Sequence, residues 1–281
     1  MTGRAIHVSD LHRGKTADRA VDDALVRLVE ELEPELVIAT GDLSNRGRVA
    51  QLQEARAVLD RLAAPVLAVP GNHDIPYTLP GRFTHPWRAF ERVFGTVEPV
   101  HRGASLVAVG LNSVWPARQQ GGRLPEAELA RAHRELAGAP VEALRLVALH
   151  HHLAGSPWRA ARKRPLKRRD AALAALREAG AELVLGGHIH QSSAVERHEF
   201  VALDGPVGPS VVLSTAPGYG RPRPRRAGEA HGLHVLRWDE RALVVETRVW
   251  DGSGFVPTAA RSFPRGRTLQ SAVVDEEERE R

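Results

Sequence analysis

Five short groups of Asp, His and Asn follow one another along the chain: Asp10-Leu11-His12, Gly41-Asp42, Gly71-Asn72-His73-Asp74, His150 and Gly187-His188-Ile189-His190. Carboxylate and amide oxygens with imidazole nitrogens form a donor set suited to divalent transition metals such as Mn, Fe and Zn. Taken singly, each group is commonplace, because Asp-x-His and His-x-His occur in many solvated loops. Their ordered recurrence, each behind an apolar strand-like run, points to a metal site. The chain has no Cys, which excludes a disulfide framework, a thiolate zinc site, an iron–sulfur cluster and a cysteine nucleophile. Gly14-Lys15-Thr16 ends like a phosphate-binding loop, but the required first glycine is replaced by Ser9. No dinucleotide-binding glycine pattern follows a strand, and no serine-hydrolase elbow occurs.

The elements that must carry these groups alternate. Arg4–Ser9, Glu35–Thr40 and Pro65–Val69 read as buried strands. Between them Val21, Leu25, Leu28, Val29 and Leu32 fall at helical spacing, as do Ala55, Val58, Leu59 and Leu62. Thr16 or Asp18 caps the first helix, and Pro34 stops it. This βαβαβ order predicts a sheet with a parallel portion and helices packed outside it. Further strand-like runs lie at Ser105–Gly110, Arg145–His150, Glu182–Gly186, Pro209–Thr215, Gly232–Trp238 and Ala242–Trp250, with helical patterns at Pro125–Leu136 and Arg169–Ala179. The last four runs have no helices between them, which predicts antiparallel pairing there. Two strand-rich halves fit an α/β fold of two packed mixed sheets with helices on the outer faces. The five polar groups close predicted strands or follow them, where ligand crevices of open α/β sheets form. Residues 1–264 are expected to form one domain, and 265–281, ending DEEERER, a charged disordered tail.

With its five groups in this order, the sequence resembles the calcineurin-like metallophosphoesterase superfamily, whose signature is D-x-H, G-D, G-N-H-D/E, H and G-H-x-H. The stretches GDLSNRG, PVLAVPGNHDIP and VWDGSGFVP look like bacterial members described as cyclic-nucleotide-phosphodiesterase-like. The resemblance implies a four-layer α/β/β/α sandwich holding two divalent metals (Mn, Fe or Zn) about 3.5–4 Å apart. It implies that Asp10, His12 and His190 hold one metal, that Asn72, His150 and His188 hold the other, and that Asp42 bridges them. Two carboxylates against two dications leave the site positive, even with a bridging hydroxide, which favours an anionic phosphate. The implied reaction is phosphodiester hydrolysis by in-line attack of a metal-bound hydroxide. His73 would serve the leaving oxygen, oriented by Asp74. The substrate would be a cyclic nucleotide or other phosphorylated small molecule. A nuclease acting on DNA or RNA is the alternative enzyme, and a non-catalytic scaffold on the same fold is the alternative of another class.

The charge balance says less. Lys+Arg number 39 against 34 Asp+Glu, a formal +5, and apolar residues make up 42 %, enough for a sizeable core. The start of the chain shows no basic-then-apolar signal region, and no apolar run nears the ~20 residues of a membrane helix. The expectation is a cytoplasmic protein without a membrane partner. Two basic stretches, Arg159–Arg169 and Arg221–Arg226, read either as solvated surface or as a cationic rim for phosphorylated substrates, nucleic acid included. His151 and His152 either line the pocket or are solvated. His7 reads as a core or supporting residue, and His231 and His234 as structural ones.

Overall fold

The computed structural model describes residues 2–15, 17–154, 163, 165–196, 211–220 and 231–265. Strands β1 (Gly3–Val8), β2 (Leu36–Thr40), β3 (Val66–Val69), β10 (Gly232–Trp238), β11 (Ala242–Trp250) and β12 (Phe255–Pro264) make one sheet in the order β12-β11-β10-β1-β2-β3. A second sheet, β4-β5-β6-β7-β9-β8, contains β4 (Val100–Arg102), β5 (Leu106–Gly110), β6 (Leu144–Ala148), β7 (Leu183–Gly186), β8 (Ser193–Glu196) and β9 (Val212–Thr215). Helices α1 (Arg19–Leu32), α2 (Val49–Leu59), α3 (Gly81–Thr84) and α4 (Arg88–Phe94) accompany the first sheet in sequence, and α5 (Glu126–Ala137) and α6 (Arg169–Glu178) the second.

Strand alternation builds the layers. Ala5, Leu36 and Ile38 point between the sheets, where they meet Leu106, Ala108, Leu146 and Leu185. Their neighbours Ile6, Val8, Val37 and Ala39 point the other way and pack with Leu25, Leu28 and Val29 of α1 and Leu52 and Ala55 of α2. On the far side, Val107, Val109, Val147 and Val184 pack with Ala132 and Leu136 of α5 and Leu173 and Leu176 of α6. The result is the expected α/β/β/α sandwich. Asp18 caps α1, its carboxylate accepting from the Ala20 and Val21 amides; Thr16 lies outside the described residues.

Two differences from the sequence reading have simple causes. Among the last four runs, β10 and β11 pair antiparallel as expected, but β7 and β9 pair parallel. Both are short and buried along their whole length, as interior parallel strands are. β8, which follows β7 in sequence, takes the edge beside β9. The unforeseen β12 is an edge strand, largely exposed and carrying Pro257, features that hide the strand signal. Arg265, placed in the expected tail, is buried, donating to Glu182 and to the Asp239 and Ala143 carbonyls; residues 266–281 lie outside the described ones. No helix among the described residues is long and apolar enough to cross a membrane.

The inter-sheet layer should dominate stability. Ile38→Ala, at a fully buried position, should cost about 2–5 kcal/mol in chemical denaturation, whereas Val66→Ala, at an exposed one, should cost under ~1 kcal/mol.

Candidate metal centre

Strands β1, β2 and β3 run parallel to one another in the first sheet, as β5, β6 and β7 do in the second, so the loops after them gather at one end of the sandwich. Backbone bonds lock these loops together. Asp10 N donates to Gly41 O (3.0 Å), His12 N to Asp42 O (2.9 Å) and Gly187 N to His150 O (2.9 Å). Two glycines make the approach possible. A Cβ on Gly71 would lie 2.1 Å from the Asp42 amide nitrogen, and one on Gly187 1.9 Å from Ser9 Oγ. Asp10, His12, Asp42, His188 and His190 all have φ between 48° and 71°. Left-handed backbone at ordinary residues costs of order 1–3 kcal/mol each and collects at functional sites. Here it turns five side chains inward.

Those side chains form two donor clusters that share one carboxylate. Asp10, His12, Asp42 and His190 make the first, and Asp42, His150 and His188 the second. His190 Nε2 stands 3.0 Å from Asp10 Oδ1 and 3.3 Å from His12 Nε2. His150 Nε2 stands 3.4 Å from Asp42 Oδ1, 3.3 Å from His188 Nδ1 and 3.1 Å from Asn72 Oδ1. All seven expected ligands therefore meet in one buried place. The donors fit a pair of dications. Asp42 Oδ2 is buried and accepts no hydrogen bond, and the ring nitrogens of His12 and His190, and of His150 and His188, converge to 3.3 Å around it. Outer partners aim the ligands. Ser9 Oγ and the His188 amide donate to Asp10 Oδ2 (2.7 and 3.1 Å), turning Oδ1 to the centre, and His150 Nδ1 donates to Thr40 O (2.8 Å), freeing Nε2 to face it.

Burial and charge act in opposition here. Burial would raise the Asp10 and Asp42 carboxyls, but the surrounding imidazoles outweigh it and hold both below the usual carboxylate range. Burial pulls His12 down to about 3 and His188 well below the ordinary imidazole value. For His150 burial also acts downward, but the adjacent Asp42 carboxylate overrides it and lifts the ring to about 9.

His73 lies beside the ligands, its Nε2 4.0 Å from Asp42 Oδ2 and its ring edge-on to His12 at 4.9 Å. Its orientation differs from the expected one. Asp74 does not reach the His73 ring. Its carboxylate accepts from the Gly71, Leu43 and Ser44 amides (2.8, 3.1 and 2.7 Å) and from Ser44 Oγ (2.9 Å), stapling the loops after β2 and β3. A carboxylate three residues from Gly71 N closes a tight turn more readily than it reaches the neighbouring side chain. Burial and the Asp42 charge raise Asp74 to about 6, with the backbone donors opposing. His73 Nδ1 instead meets the Asn45 carbonyl (3.0 Å) and the Tyr77 hydroxyl (2.6 Å). Tyr77, four residues after His73, escaped the sequence reading, although it is the one phenol near any of the five groups.

The remaining histidines sort cleanly. His151 and His152 are buried, which overturns the solvated alternative. His151 Nδ1 bonds Ser113 Oγ (2.9 Å), and both rings pack against His188. His7 supports from below through Thr40 Oγ1 (2.8 Å), and His234 is held between Ser192 and Ser214. Lys163 donates to the His188 carbonyl. Residues 155–162 and 164, and all of Arg221–Arg226, lie outside the described residues.

Residues 3–192 match the calcineurin-like phosphoesterase family. A glycerophosphodiester phosphodiesterase of Enterobacter lignolyticus is 49 % identical over 41 residues, which span 15 % of this chain and 15 % of that protein. Among solved structures, a purple acid phosphatase of yellow lupin (Lupinus luteus) superposes with a TM-score of 0.71 at 13 % identity, over 95 % of this chain and 55 % of that one. GAP50 of Plasmodium, titled the anchor in the inner membrane complex, superposes at 0.62 and 11 % identity, over 95 % and 90 %. Likeness at these identities is a likeness of fold.

Elemental analysis after manganese loading should find close to two metals per chain, and Asp42→Ala should lose most of both; retention of both would contradict the shared-ligand geometry. Because a bound metal must displace the His150 proton, uptake should release protons, and affinity should rise with pH until about 9.

Proposed function

Because the chain belongs to the calcineurin-like phosphoesterase family, we propose that its two-metal centre hydrolyses phosphodiesters of small phosphorylated molecules, with cyclic nucleotides among the candidates. One observation carries the reading: Asp42 is common to both donor clusters while His73 Nε2 stands at its side, outside the ligand set. The short likeness to a glycerophosphodiester phosphodiesterase supports the diester preference.

Two bound dications supply Lewis acidity toward the phosphoryl oxygens and a water activated for attack. The chain's own residues do the rest. Asp10 and Asp42, held ionised, fix the charge of the site, while the neutral amide of Asn72 avoids adding a further negative charge where an anionic substrate must enter. His73 presents Nε2 to the leaving oxygen and gives it a proton. The Asn45 carbonyl accepts from Nδ1–H both before and after Nε2 gives up its proton, and the Tyr77 hydroxyl oxygen offers Nδ1–H a second acceptor. The ring thus keeps partners on both sides of proton transfer.

The alternatives differ in standing. The Plasmodium protein on this fold is an anchor, but a scaffold has no need of seven assembled donors, five of them on left-handed backbone. For a nuclease, the stretches Arg159–Arg162 and Arg221–Arg226 that would hold the polymer lie outside the described residues.

His73→Ala should keep its metals and lose turnover, most severely for esters with poor, high-pKa leaving groups and least for nitrophenolate esters. Tyr77→Phe should show the same leaving-group trend at roughly a tenth of the severity. Equal losses on both kinds of ester would remove the proton-donor role.

A further inference from the structure

Between β5 and α5 the chain makes a loop, residues 111–125, that the family reading leaves unused. Its one aromatic, Trp115, is surrounded by charge: the Arg118 and Arg123 guanidiniums lie 5.8 and 5.2 Å from the ring centroid, and Lys167 Nζ 5.3 Å. Three cations gathered on one indole are necessarily within about 11 Å of one another. All three are exposed, and among the described residues none is in an ion pair with an acid. Cation–π attraction explains why each cation sits on the ring. It does not explain why three like charges share it.

The loop is also fastened across the metal centre. On one flank the Ser113 hydroxyl bonds His151, and Gly122 lies so close to that ring that a Cβ would be 2.3 Å from His151 Cγ. The Gly122 carbonyl accepts from the Lys167 amide (2.9 Å), which ties the third cation to the same flank. On the other flank Arg82 donates to both the Pro116 and Pro76 carbonyls (2.7 and 3.2 Å), and Gln119 lies beside Tyr77, the partner of His73. Trp115 therefore stands on a rim joining the His150 side of the centre to its His73 side.

We propose that this rim is a second anion site, which takes a phosphate group of the substrate other than the one being hydrolysed. The inference rests on the phosphoesterase reading and deepens it: the preferred substrate is a phosphoester that carries a further phosphate. An indole occupied by cations is poorly disposed to stack a nucleobase, so the site reads charge, not base identity. The cations act in capture and touch no reacting atom.

The test uses the full-length, manganese-loaded protein and two inorganic probes. Orthophosphate, followed through the manganese resonance, reports on the metal centre, and tripolyphosphate on the centre together with the rim. Replacing Arg118, Arg123 and Lys167 together with Gln should leave the orthophosphate dissociation constant unchanged, which also shows an intact fold. The same triple variant should weaken tripolyphosphate about 10-fold at low salt, with the difference shrinking as salt rises, as expected for three exposed charge pairs. Lys167→Gln alone should weaken it about 2-fold. Equal tripolyphosphate binding by the wild type and the triple variant would overturn the proposal. The two readings fail separately: a protein that hydrolyses no phosphoester yet shows the 10-fold difference keeps the anion site and loses the phosphoesterase, whereas active hydrolysis with no difference does the reverse.

Discussion

One buried carboxylate organises this molecule's working end. Asp42 is fully buried, has left-handed backbone and belongs to both donor clusters. Its Oδ1 accepts the His73 amide (2.8 Å) and faces His150, while Oδ2 faces His12. Burying an ion is costly unless opposite charge and hydrogen bonds surround it. The sandwich meets that requirement by bringing strand ends from both sheets to the same place. The compression of Gly71 onto Asp42 and of Gly187 onto Ser9 follows from it, as does the turning of five donors into strained conformations. A larger side chain at either glycine would separate loops whose only common purpose is to surround this charge.

Charge and stiffness are therefore set together. The His150 ring lies 3.4 Å from the Asp42 carboxylate, and each favours the charged form of the other. Asp74, which raises no ligand of its own, keeps this arrangement in register by bonding three amides of the two loops. The layers behind provide rigidity: Ala5, Leu36, Ile38 and their partners across the sheet interface fill the space directly beneath the ligand loops.

Much of this was legible in the sequence, and the exceptions share a cause. Apolar runs such as ELVIAT end in Gly41-Asp42, and that abrupt change from a buried strand to a glycine and a ligand type marks a site in one dimension. All seven donors were found that way and through the family likeness. Asp74 and Tyr77 were misread or missed because their partners depend on how a turn folds, and adjacency in sequence misleads there. Asp74 beside His73 bends back to amides, while Tyr77, a full turn further on, reaches the ring. His151 and His152 look polar in a linear pattern, yet the end of β6 sinks between loops and buries them with His150. The parallel pairing of β7 and β9 left no trace in periodicity, because both are four-residue strands buried throughout, a pattern that fits either direction of pairing.

The claim on which the rest depends is that Asp42 couples two metals. Electron paramagnetic resonance of the manganese-loaded protein tests it directly. Two ions sharing a carboxylate should give the broad, closely spaced multiline signal of an exchange-coupled pair, and Asp42→Asn should abolish that coupling. Six-line spectra of isolated manganese in the wild-type protein at full loading would contradict the account.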